Sequence, residues 1–390
     1  MKHVQGLMMV CAAGALSACG GSDGVTLPTL DGKPALVVAH RGAGGTLPEE
    51  TVEAYARAIE QGADAIEPDV ISTKDGVLIA RHDPNLAFST DVAQHPEFAA
   101  RKRKLSVDGE LQEGWFASDF TLAEIKTLGG ISTDAERPQE FNGKYKIATI
   151  QEVIDMIKKS GRNIALYAET KNPTFHRQQG LPLEDKLLAL LAAAGWTERS
   201  APVFLQSFEP GSLKYMRGKG STLKMVQLID ADDVDLKTGA LTFAAPYDRP
   251  YDWAQAGEQR LFSAMVTPAG LAEIKTYADG IGPWKRYIVS VKGTVGTDGK
   301  VADVNGDGKV NEADTTSQPA STLVADAHKA GLFVHPYTFR NEQRRLASDY
   351  KGDPKAEFKQ FYALGVDGVF ADFADTALAA RAEYLKEVGY

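Results

Sequence analysis

The sequence predicts an α/β fold in which one parallel sheet closes into a (β/α)8 barrel. Two observations carry that expectation. Eight short apolar runs begin at Ala35, Ala65, Ile164, Val203, Leu223, Gly280, Leu332 and Gly368, and most are separated by stretches with helical spacing. No glycine-rich dinucleotide turn follows the first run, which argues against an open doubly wound sheet. Two segments exceed a minimal barrel: a long polar insertion after the second strand, about residues 83–149, and an excursion over residues 284–319. There is no internal repeat and no low-complexity tract.

The chain starts as a targeting segment. Lys2 and His3 are basic, and Leu7 to Leu16 is apolar but too short to span a bilayer. Leu16-Ser17-Ala18-Cys19 resembles a bacterial lipoprotein cleavage box, so residues 1–18 read as a signal peptide and Cys19 as the lipidated residue. Cys11 would leave with the signal, and no intrachain disulfide could form. Small and polar residues from 19 to 33 read as a tether, with the barrel domain at 34–390. The residue after Cys19 is not Asp, which points to an outer-membrane lipoprotein facing the periplasm or the cell surface.

Along the barrel, Ala35 to Ala39 is a strand that ends at His40, and Thr51 to Gln61 has helical spacing. Ala65 to Ile71 is a strand carrying Glu67 and Asp69. Asp75-Gly76 is a hairpin turn signal before Val77 to Ala80. Leu122 to Leu128, Ile150 to Lys159 and Leu183 to Ala194 are helical, and Ile164 to Ala168 is a strand ending at Glu169.

The net charge of −9 excludes nucleic acid as a natural partner. A binder of anionic phosphate with this charge needs a local positive site, for which Arg41, Lys171 and a metal are the candidates. Active sites of parallel barrels lie at the C-terminal ends of the strands. His40, Glu67, Asp69, Glu169, Lys171, Gln206, His335 and Tyr337 all fall at or near such ends. Glu67 and Asp69 are two residues apart, so they share one side of the sheet, as do Glu169 and Lys171. Three carboxylates suit a hard divalent cation, calcium or magnesium rather than zinc. His40 and His82 are the candidate proton carriers. Any one of these alone reads more simply as a packed or solvated residue; their joint placement points to a site.

Together these residues resemble the glycerophosphodiester phosphodiesterase family, most closely its periplasmic bacterial branch. The likeness rests on His40-Arg41-Gly42, Pro48-Glu49-x-Thr51, Glu67-x-Asp69, Thr73-Lys74-Asp75, His82-Asp83, Glu169-x-Lys171 and Ala371-Asp372-Phe373. Gln206-Ser207-Phe208, Val226-Gln227-Leu228-Ile229 and Val334-His335-Pro336-Tyr337-Thr338 extend it over nearly the whole chain. Many members carry Asn where this chain has Glu50, and Glu50 is given no role. The resemblance implies a TIM barrel with an insertion after its second strand. It implies metal ligation by Glu67, Asp69 and Glu169, acid/base work by His40 and His82, and phosphate contacts from Arg41 and Lys171. The implied reaction is hydrolysis of glycerophosphodiesters to sn-glycerol 3-phosphate and an alcohol, with attack by a glycerol hydroxyl as one route. Phe208 and Tyr337 would wall the glycerol. Barrel phospholipases acting on lipid diesters and a non-catalytic binding lipoprotein are the alternatives. No obligate protein partner is implied.

A second motif stands apart. Asp303, Asn305, Asp307, Asn311 and Asp314 occupy positions 1, 3, 5, 9 and 12 of a twelve-residue loop, with Gly308 at position 6 and the Lys309 carbonyl available. The pattern resembles EF-hand and dockerin calcium loops. One copy only is present, which argues against dockerin-type pairing. The expectation is a structural calcium ion distant from the catalytic centre.

Overall fold

The computed structural model describes residues 25–390. The expected signal peptide and Cys19 lie outside the described residues. Eight parallel strands form a nearly closed barrel: β1 (Leu36–His40), β2 (Ala65–Glu67), β3 (Ala165–Thr170), β4 (Val203–Ser207), β5 (Lys224–Ile229), β6 (Gly280–Pro283), β7 (Phe333–Val334) and β8 (Gly368–Ala371). They pair in the order β7-β6-β5-β4-β3-β2-β1-β8. The seam between β7 and β8 is bridged by backbone bonds from Asp367 N to Val334 O (2.8 Å) and from Phe370 N to Pro336 O (3.1 Å). All eight strands fall where the apolar runs put them.

The alternation of side chains builds the barrel interior in layers. Val38, Ala65, Tyr167, Phe204, Val226 and Phe370 form one apolar cluster inside the barrel. Two residues further along five of those strands come His40, Glu67, Glu169, Gln206 and Asp372. Period-two geometry thus sets a polar layer directly above an apolar floor. Pro68 cannot donate to the ladder, so β2 pauses there. The chain resumes at Asp69–Ser72 with the same register, Ala65 opposite Ala165 and Asp69 opposite Glu169.

The helix Val52–Gln61 begins at Thr51, whose hydroxyl accepts from Ala54 N, and ends at Gly62 in the left-handed region. The helix Ile150–Ser160 starts with a capping box between Thr149 and Glu152. After Ser72 the chain turns back through Asp75-Gly76 into Leu78–Ala80, as expected. The insertion then gathers its own core, including Leu86, Phe98, Trp115, Phe120 and Leu128. It also carries an antiparallel hairpin, Arg103–Val107 with Glu110–Gly114.

Three expectations need correction. The tether expected through residue 33 docks on the barrel: Leu27 is buried, and Leu30 N donates to Asp367. His335 does not join the polar rim. Its ring drops into the apolar floor, Nδ1 bonds Tyr167 Oη at 2.9 Å, and the absence of a side chain at Gly368 makes room for it. Residues 230–266 carry a small hairpin (Asp233–Asp235 with Ala240–Thr242) and the helix Tyr251–Gln255, where no element was expected.

Candidate active site

The carboxylates of Glu67, Asp69 and Glu169 converge at the C-terminal mouth of the barrel. Each offers an oxygen within 4.8 Å of the others, and all three are buried. Glu67 accepts from the Arg41 backbone N at 2.9 Å and from Gln206 Nε2 at 3.0 Å. Arg41 adopts a left-handed backbone, which aims that amide inward. Its guanidinium spans Glu49 (3.1 Å) and Asp69 (3.1 Å). Lys171 stands 3.1 Å from Glu169 and 3.8 Å from Asp69.

Like charges crowded out of water shift the protons. Burial, with Asp69 and Glu50 beside it, pushes Glu67 well above the usual carboxylate range. Burial pushes Glu169 up to about 8 despite Lys171. For Asp69 the cost of burial is outweighed by Lys171 and Arg41, which hold it well below that range.

The donor set fits a hard cation. Among the described residues, Gln206 Oε1 is a buried oxygen with no hydrogen-bond partner, while Asp69 Oδ2 and Glu169 Oε1 face the Arg41 and Lys171 cations at 3.1 Å each. An unpaired buried oxygen is costly unless something positive satisfies it, and the three clustered carboxylates outnumber the two cations beside them. All-oxygen chemistry selects a calcium- or magnesium-like ion.

His40 lies 9% exposed on one flank. Its Nδ1 bonds Asp372 Oδ1 at 2.6 Å. Against the cost of burial, Arg340 and His40 hold Asp372 well below its ordinary value, so it is ionised and can only accept. Nδ1 therefore carries the proton and Nε2 has a free lone pair. Burial and the neighbouring Arg41 lower the His40 imidazole to about 4. Asp372 is itself gripped by Arg137 Nη2 and by Arg340 Nε at 3.0 Å. Arg137 comes from the insertion and also holds Glu342 (2.7 Å) and Gly44 O (3.1 Å).

His82 lines the same cavity, on the loop after Ala80. The loop is anchored by fully buried Arg81, which bonds Ser89 O at 2.8 Å. His82 Nδ1 sits 3.2 Å from Asp83.

His40, Arg41, Glu67, His82, Glu169, Lys171, Gln206, Phe208 and Tyr337 line one cavity of about 60 Å³, with Asp69 behind them.

 The expected site residues therefore meet in one place. Phe208 packs edge-on against Tyr337 at 5.9 Å, and Lys171 stands over its ring at 5.3 Å. The Tyr337 hydroxyl turns away from the cavity to bond Asp230 Oδ1 at 2.9 Å.

Three contributors were not assigned from the sequence. Glu50 is fully buried; it accepts from Asp69 N at 3.0 Å and from Tyr55 Oη, which fixes the chain where Pro68 interrupts β2. Asp372 carried one signal, an acid at the end of the last strand. Arg137 carried none, because 235 residues separate it from Asp372. The 303–314 loop contributes nothing to the cavity lining. Its side chains accept from its own backbone: Asp303 from Gly306 N (2.7 Å) and Gly308 N (2.8 Å), Asp307 from Lys309 N (2.8 Å), and Asp314 from Val304 N (2.7 Å).

Residues 40–376 match the sequence profile of the glycerophosphoryl diester phosphodiesterase family. The chain belongs to that family. A glycerophosphodiester phosphodiesterase of Arabidopsis thaliana is 39% identical over 351 residues, covering 86% of this chain and 83% of the relative. One from Haemophilus influenzae is 30% identical over 402 residues, covering 98% of each chain. Among solved structures, an Oleispira antarctica phosphodiesterase in complex with the product sn-glycerol-3-phosphate superposes with a TM-score of 0.55 at 18% identity, covering 90% of this chain and 98% of that one. That likeness is one of fold.

Proposed function

We propose that this enzyme hydrolyses glycerophosphodiesters to sn-glycerol 3-phosphate and a free alcohol. The observation that carries the reading is the buried Glu67, Asp69 and Glu169 triad, with His40 and His82 lining the same cavity, in a chain of this family. Those three carboxylates would hold calcium or magnesium, which when bound would neutralise charge growing on the phosphoryl oxygens. Arg41 and Lys171 add positive charge at the same place and orient the phosphate. His40, neutral and fixed by Asp372, takes the proton of the attacking hydroxyl at Nε2. His82, with the Asp83 carboxylate 3.2 Å away, returns a proton to the departing alkoxide, and water then opens the resulting cyclic phosphodiester with the proton roles of the two imidazoles reversed. Phe208 and Tyr337 wall the glycerol.

The test is release of glycerol 3-phosphate from glycerophosphocholine with added calcium or magnesium, and its loss on chelation. No release under saturating cation would favour a binding lipoprotein instead. The reading extends to two further features. Calcium in the 303–314 loop would take oxygens from Asp303, Asn305, Asp307, Asn311 and Asp314 and the Lys309 carbonyl. Lipidation at Cys19 would tether the enzyme to the bacterial cell envelope. Among the described residues no helix is long and apolar enough to cross a membrane. Cys19→Ala should therefore shift the protein from the membrane to the soluble fraction.

A further inference from the structure

We propose that a cleft beside the catalytic cavity receives the departing alcohol and selects alcohols that bear an ammonium group. The inference rests on the diesterase reading above and adds the class of alcohol. The catalytic cavity, at about 60 Å³, has room for the phosphate but not for a whole diester. A cleft of about 390 Å³ adjoins it and shares His82, Glu169, Lys171 and Phe208 with it. That volume is within the range of small-molecule pockets. His82 is the residue assigned to protonate the leaving oxygen, and it stands on the shared wall. The group attached to that oxygen therefore extends into the cleft.

The chemistry of the cleft is acidic and aromatic. Beyond the shared wall it is lined by Asp83, Asp108, Glu209 and Asp230 and by the rings of Tyr247, Tyr251 and Phe262. Its two cationic side chains are already engaged. Lys171 pairs with Glu169 at 3.1 Å. Arg249 holds Asp248 through Nε (3.1 Å) and Nη2 (2.8 Å), and Glu258 O through Nη1 (2.8 Å).

Asp108 sits at the tip of the Arg103–Gly114 hairpin. Gly109 beside it is close enough to the next wall that a Cβ there would meet Pro246 at 3.4 Å and Tyr251 at 3.7 Å. Asp108 Oδ2 accepts from Asn172 Nδ2 at 2.6 Å, while Oδ1 is buried with no hydrogen-bond partner among the described residues. An ammonium group satisfies such a carboxylate and is attracted by aromatic faces. An anionic alcohol would meet four carboxyl groups, and a neutral polyol gains nothing from the rings. Burial pushes Asp108 up to about 6 and Glu209, which Asp108 also repels, up to about 8, a strain that a bound cation relieves.

The experiment compares kcat/KM for glycerophosphocholine, whose alcohol bears an ammonium group, and for glycerophosphoglycerol, whose alcohol is uncharged, in the same metal-loaded enzyme. The expected preference for the choline diester is about tenfold. Asp108→Asn keeps a residue type that tolerates the positive φ of 47° at this position, so the hairpin should fold. It should cut the preference severalfold, and Tyr251→Leu should do the same without touching a charge. Equal kcat/KM for the two diesters in the native enzyme, or a ratio that neither variant moves, overturns the inference and leaves the diesterase reading standing. Cleavage of neither diester sinks both.

Discussion

A buried carboxylate matters here for where its proton goes. Asp372 never reaches the cavity, yet it decides which nitrogen of His40 is free. Replacing Asp372 by Asn removes an acceptor-only partner and lets the imidazole take the wrong tautomer, so kcat should fall on the order of 10²-fold with little change in KM. Steady-state kinetics on a variant with an unaltered circular dichroism spectrum checks this; an unaffected kcat would remove Asp372 from the mechanism. The triad makes a second prediction. Glu169 keeps its proton up to about pH 8 when no cation is bound. A binding cation must displace that proton together with the one that burial holds on Glu67, so affinity should rise with pH by at least about tenfold per unit below pH 8. Calorimetry in two buffers of different ionisation enthalpy would register the released proton. A pH-independent affinity with no proton release would mean the triad is ionised beforehand.

At the scale of elements, the insertion is tied into the catalytic end through Arg137, which connects it to Asp372, Glu342 and Gly44 at once. Breaking a buried ion pair of this kind typically costs about 3–5 kcal/mol, so the insertion is a structural part of the site as well as a cover. The 303–314 loop belongs to a different element, the excursion after β6. It is tied to the base of that excursion by Glu312, which pairs with fully buried Arg286 at 3.0 Å. With calcium in this loop as proposed, added calcium should raise the melting temperature and Asp307→Ala should abolish that rise, while kcat with saturating active-site metal stays within about twofold. The same melting temperature for native and variant proteins, with and without calcium, would argue that the loop is held by its own hydrogen bonds alone.

At the scale of the whole molecule, closure of the barrel depends on its weakest seam. β7 contributes only two residues, and the junction of β8 with β7 and the segment through Phe339 is held by four backbone bonds and the packing of His335 over Gly368. A Cβ at residue 368 would stand 2.9 Å from the His335 ring. Gly368→Ala should overpack this junction by about 1–3 kcal/mol and lower the melting temperature measurably; an unchanged thermal transition would show that the His335 ring has room to move. The eight strands, the hairpin at Asp75-Gly76 and the meeting of His40, Glu67, Asp69 and Glu169 were legible in the sequence, because period-two alternation and strand ends are local properties of the chain. The positions of Arg137, Glu50 and His335, the docking of Leu27, and the cleft between the insertion hairpin and residues 246–251 were decided by tertiary structure alone. Each depends on which distant segments share a buried volume, and only there does the cost of an unpaired charge choose its partner.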